Sequence, residues 1–285
     1  MRPISSPSPR ALPLALLAGR SGADLRVAID LSLQENAFLT SAALNAATSA
    51  RLDELIGVAD ALDDNAINLA EIVGAVKGQT TAEALLDAWR GAANDLVGYA
   101  QGQRSNATTD LERRRGPLAS ALAIGDFSVA AADALVERRL QAQLGLADAI
   151  AAHDLTRSVQ RLESLAASSD DLGHPLAAAL AATRADLSPA ATDGQEVDLR
   201  LHLVGSMQAR VHLTGAALEA AADSRGAERQ ASLDAANRAA ADVTTVLLEV
   251  YGSDPSGDLQ MTKPASGGVL RPKLVESLTE ESSRC

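Results

Sequence analysis

One stretch of this chain occurs twice. Residues 25–78 return as residues 199–252 without a gap, and about a third of the aligned positions are identical. Matches include Leu25/Leu199, Arg26/Arg200, Gln34/Gln208, Leu39/Leu213, Thr40/Thr214, Leu44/Leu218, Asp60/Asp234 and the closing Gly78/Gly252. Shared alanine inflates such a score in an Ala-rich chain, but the opening Leu-Arg and the closing Gly owe nothing to it. Apolar residues recur at helical spacing through both copies, so the recurrence reads as a duplicated helix pair.

Composition supports that reading. Apolar residues make up 47% of the chain while aromatics make up only 2%, so the excess is alanine and leucine. These are the strongest helix formers, and small side chains let helices approach closely. The expected fold class is all-α, an antiparallel helical bundle built from repeated helix pairs. The order predicted is about six helices over residues 24–187, a turn-rich linker at 188–197, the repeated pair at 198–252 and a disordered tail at 253–285.

Helix starts and stops are expected from local chemistry. Asp24 is the predicted N-cap of the first helix, and Gly78 the stop of the second. Thr80 with Glu83, and Thr109 with Glu112, have capping-box spacing and are expected to open the third and fourth helices. Pro117 predicts a kink or break, and the runs Ser168–Asp171 and Gly173-His174-Pro175 predict interruptions. Asn65 is a candidate for a buried, register-fixing amide, and Trp89 for the core.

The first 23 residues have the layout of a secretory signal: Arg2 and Arg10, a short apolar run over residues 11–19, then small residues. Leu16-Leu17-Ala18-Gly19 also has the form of a lipoprotein box, with Arg20 where the acylated cysteine would stand. Export or association with the cell envelope is therefore expected, with a cytoplasmic protein as the alternative. Elsewhere the chain lacks the ~20 uninterrupted apolar residues of a membrane span.

The residues Ala61-Leu62-Asp63-Asp64-Asn65, Gly78, Trp89-Arg90 and Asp95-Leu96-Val97-Gly98-Tyr99 resemble a family of Ala-rich, exported helical-repeat proteins of high-GC actinobacteria. Many of that family are lipoproteins, and no biochemical function is established for it. The turn at Ala151-Ala152-His153-Asp154 is similar as well. The resemblance covers residues 25–187, and residues 199–252 look like a further half-unit. It implies a helical bundle exported to the envelope. Family members often carry histidines on their inner faces, where this chain has Glu35-Asn36 and Gly91-Ala92, so the family's metal chemistry does not carry over.

The search for chemistry gives mostly exclusions. A net charge of −12 argues against a phosphate-binding surface, and Arg113-Arg114-Arg115 reads as a solvated helix face. His202 and His212 lie ten residues apart on one helix, about 280° around its axis, so they cannot share a metal. His153 and His174 are expected in solvated turns. The pairs Asp63-Asp64 and Asp170-Asp171 point about 100° apart on a helix and read as surface or helix-end charge. Nucleotide-binding and hydrolase motifs are absent, and Cys285 is the only cysteine.

The expectation is thus a non-enzymatic protein acting through surface interactions, with no catalytic, cofactor-binding or metal residues assigned. The alternative is an envelope bundle carrying a ligand or metal. A cytosolic amphipathic coat is a third reading. An unknown protein partner is admitted, nucleic acid is not, and the oligomeric state is left open.

Overall fold

The structure is a computed structural model in which residues 21–187 and 189–251 are described. The signal-like start to Arg20, the closing Gly252, the predicted tail and Cys285 lie outside the described residues. Helices dominate: α1 (Gly22–Thr48), α2 (Leu52–Lys77), α3 (Gln79–Ala100), α4 (Arg104–Leu122), α5 (Val129–Ala151), α6 (Leu155–Ala167), α7 (Ser169–Ala182), α8 (Gln195–Ala222) and α9 (Gly226–Tyr251), with a 3₁₀ turn at Pro189–Thr192. The chain is an all-α bundle in which short turns lay consecutive helices from α1 to α7 side by side. The described residues up to Val246 form one unit.

Several local expectations need correction. Ser21, not Asp24, caps α1; its hydroxyl accepts from the Asp24 N–H while Asp24 accepts from the Ser21 N–H, a reciprocal box. Neither threonine box opens a helix. α3 starts at Gln79 directly after Gly78, whose φ of 89° turns the chain without a side-chain cap. α4 starts at Arg104, and the Thr109 hydroxyl bonds back to the Ser105 carbonyl inside it. Pro117 does not end α4, which runs on to Leu122. Gly173-His174-Pro175 lies inside α7; the only interruption in that region is at Ser168.

α1 is the axis of the bundle, with α2, α3, α5, α6, α7 and α8 all packed on it. Ile29, Leu33, Ala37 and Leu44 are completely buried along its length. Trp89 joins the same core. Buried Asn65 donates from α2 to the Ser32 carbonyl (2.9 Å) and Glu35 (3.1 Å), so it pins α2 to α1 as a register residue does.

The two aligned stretches fold alike, with α1–α2 matched helix for helix by α8–α9. Both turns place a non-glycine residue at positive φ, Ala50 at 54° and Ser224 at 59°. Each is closed by the same bonds: Arg51 N–H to the Ala46 carbonyl (2.9 Å), and Arg225 N–H to Ala220 (2.7 Å). That is the Schellman pattern, here without glycine. The contacts between α1 and α8 rise in step along both helices, so they run parallel. Asp24 meets Arg200 (2.8 Å) and Arg26 meets Asp198 (3.2 Å) at the starts; at the ends, Arg51 meets Glu219 (2.6 Å) and Asp223 (3.1 Å). Arg225 bonds the same two acids, and burial together with the Glu219 carboxylate pushes Glu54 up to about 7.

Candidate functional site

Between α1, α7 and α8 lies an open cleft of about 320 Å³, within the range of small-ligand sites. Its chemistry comes from two charges set in the apolar stripe of α1. Arg26 and Asp30 are one helical turn apart, so both point the same way, and both are buried. Arg26 is held on several sides: Asp30 at 3.4 Å, Asp170 at 2.9 Å, Asp198 at 3.2 Å and the Thr192 carbonyl at 2.9 Å. Each of α1, α7 and α8 thus supplies one carboxylate to a single guanidinium.

Asp30 sits deeper than the other acids. Burial, and then the neighbouring Asp170 carboxylate, push its pKa up to about 8, against the pull of Arg26. The group therefore holds a proton at neutral pH. Its Oδ1 lacks a hydrogen-bond partner, as does the nearby Ser169 hydroxyl. Room for this carboxyl exists because residue 173 is glycine: a Cβ there would fall 1.6 Å from Asp30 Oδ1. Gly205 on α8 makes similar space for Gln34, which donates to the Gly205 carbonyl at 3.2 Å. His202 completes the α8 wall, and on the far side His174 meets Asp193 at 2.5 Å.

Comparison of the chain with protein families, curated proteins and solved structures finds no match.

The sequence reading assigned no residue to this cleft. Asp170 and Asp171 are both exposed in the first turn of α7, as helix-end charges, and Asp170 also pairs with the buried Arg26. His174 lies half-buried inside α7 rather than in a turn, with Nε2 2.5 Å from Asp193. The Arg113–Arg115 run is neutralised within the fold, by Asp110, Asp95 and Asp133 respectively. Asp63 pairs with Arg90 on the surface. His202 and His212 stand apart, with His212 stacked on Phe38. Among the described residues, no three His, Cys, Asp or Glu side chains gather as metal ligands. A clue to the cleft existed in Arg26 and Asp30, two charges at helical spacing inside the run Leu25, Ile29 and Leu33.

A second polar feature is buried entirely in protein. Arg139 of α5 donates to the Leu33 carbonyl (2.6 Å) and to Asn36 (3.1 Å), while its Nε and Nη1 lack partners. Burial pulls its pKa down to about 10, still well above neutrality. It lines a cavity of about 30 Å³ beside Trp89 and Gln143, room for a water molecule and little more.

Proposed function

We propose that the protein is a non-enzymatic helical-bundle binding protein, exported or associated with the cell envelope, and that the α1–α7–α8 cleft holds a small polar ligand. One observation carries this reading. The cleft is open and ligand-sized, and Asp30 lines it as a buried carboxyl. Asp170 and Asp198, both about half exposed, add acceptors at the rim. With Asp30 protonated, the two rim carboxylates face one guanidinium, so the cleft keeps an excess of negative charge. The ligand class that fits is a small ammonium compound.

Binding is favoured over catalysis by the state of the candidate nucleophile. Ser169 has no base on its hydroxyl, so it is not activated for attack. An organic ligand is favoured over a metal ion because, among the described residues, no three His, Cys, Asp or Glu side chains gather as metal ligands. Envelope location rests on the signal-like start of the sequence and on the family resemblance. No described helix is long and apolar enough to cross a membrane.

Isothermal titration of the full chain with a panel of small amines, diamines and quaternary ammonium compounds tests the cleft. Binding that Asp198→Asn weakens is the expected result. Absence of heat across the panel at millimolar ligand, in protein with a cooperative melt, would sink the ligand reading. Intact mass from fractionated host cells tests location: a full-length chain recovered only from cytosol would remove the export arm.

A further inference from the structure

α8 has two faces. One carries His202 and Gly205 and lines the cleft; the opposite one carries Val204, Met207, Val211 and Leu218, exposed by 41%, 54%, 70% and 68%. Thr214, Gly215, Ala221 and Ala222 fill the exposed surface between and beyond them. Arg210 stands at the edge of this stripe, and from Val204 to Ala222 no acidic side chain lies on it. Water gains nothing from such a surface, and four large apolar side chains in one line are more than scattered exposure explains.

The aligned residues of α1 show what this face does in the other copy. Asp30, Leu33, Ala37 and Leu44 occupy the same positions, and all are buried within the bundle. On α8 the described residues leave the face bare.

The positions of the stripe are spaced symmetrically about Val211. Val204 and Leu218 lie seven residues to either side, and Met207 and Gly215 lie four to either side. Two copies of α8 laid antiparallel, with a twofold axis at Val211, set Val204 against the second copy's Leu218. Met207, long and flexible, falls over the second copy's Gly215, where no side chain stands in its way. Val211 meets its own counterpart. A twofold contact requires one patch to complement itself, and this patch does.

We propose that the protein self-associates through α8, as an antiparallel twofold pair centred on Val211. The contact lies on the side of α8 opposite the cleft, so it stands independently of any ligand there. The stripe from Val204 to Leu218 is about 21 Å long. A single helix pair of that length buries less than the roughly 1,200 Å² of a standard interface. The dimer is therefore concentration-dependent.

Sedimentation velocity of the full chain, carrying Cys285→Ser to remove the native thiol, measures the equilibrium over a concentration series. A monomer–dimer transition is expected, and Val211→Arg should weaken it at least about tenfold, or roughly 1.4 kcal/mol. In the same background Val211→Cys should oxidise to a disulfide-linked dimer faster than Val129→Cys, an exposed control on α5. Val211 is 70% exposed, so both variants should keep the wild-type melt. A monomer at every concentration would overturn the proposal. So would a dimer indifferent to Val211→Arg, or cross-linking no faster than at Val129; either would assign the face to a different partner.

Discussion

Phe38 of α1 and His212 of α8 occupy aligned positions of the recurring stretch, and they lie ring on ring, centroids 5.0 Å apart and planes 4° from parallel. Burial lowers the His212 pKa below its ordinary value of 6.5, opposed by the charge of Glu35. The folded state thus prefers the neutral ring. Its contribution is complete above the unfolded value and is lost as the pH falls through the folded one. His212→Phe should therefore melt above the wild type near pH 5 and close to it near pH 8. Calorimetry at the two pH values decides this, and equal shifts at both would refute it.

Asp30 runs the other way. Its folded pKa, about 8, lies above the ordinary value of 3.8, so the folded state binds a proton that the unfolded state releases. The stabilisation is complete below the unfolded value and disappears as the pH rises through about 8. Across that window the group should lower stability by at most about 1.4 kcal/mol per pH unit. Asp30→Asn, which stays neutral, should flatten the profile and match or exceed the wild type at pH 8. Urea midpoints at half-unit intervals would reveal the change of slope.

Gly173 and Asp30 are coupled through space. A methyl at residue 173 collides with the Asp30 carboxyl, so Gly173→Ala should cost about 1–3 kcal/mol. Shortening Asp30 to alanine should recover part of that loss. A double-mutant cycle should give a coupling above about 0.5 kcal/mol, and strict additivity would mean the two do not meet.

Arg139 is a buried cation whose partners are a carbonyl and an amide rather than a carboxylate. Arg139→Met keeps most of the volume and removes the desolvated charge. It should be neutral or stabilising by about 1–4 kcal/mol, whereas Arg139→Ala should destabilise by opening a cavity. Denaturant unfolding of the two variants separates a structural charge from a merely tolerated one.

The fold was legible because alanine and leucine recur at one period, and because residues 25–78 align with residues 199–252. The boundaries were less so. Thr80 and Thr109 have the spacing of caps, but a cap forms only where the preceding residue leaves helical geometry, and α4 is already helical at Thr109. Gly173 resembled a breaker because its reason for being glycine, the Asp30 carboxyl, lies on another helix. The cleft was hidden for a similar cause. Arg26 and Asp30 look like an ordinary surface pair one turn apart until Asp170 and Asp198 arrive from distant parts of the chain. Asn65 was readable because a lone amide on an apolar face needs a local partner.

α1 is the first described helix to be synthesised, yet its buried charges depend on parts made much later. Asp170 follows Arg26 by 144 residues, roughly 7 to 30 s of translation at ordinary elongation rates. Until then a helix destined to be almost wholly enclosed has no enclosure. Its arginine and aspartate help to keep that face wet while it waits. The first described helix is therefore enclosed in full only once Asp170 and Asp198 have been made.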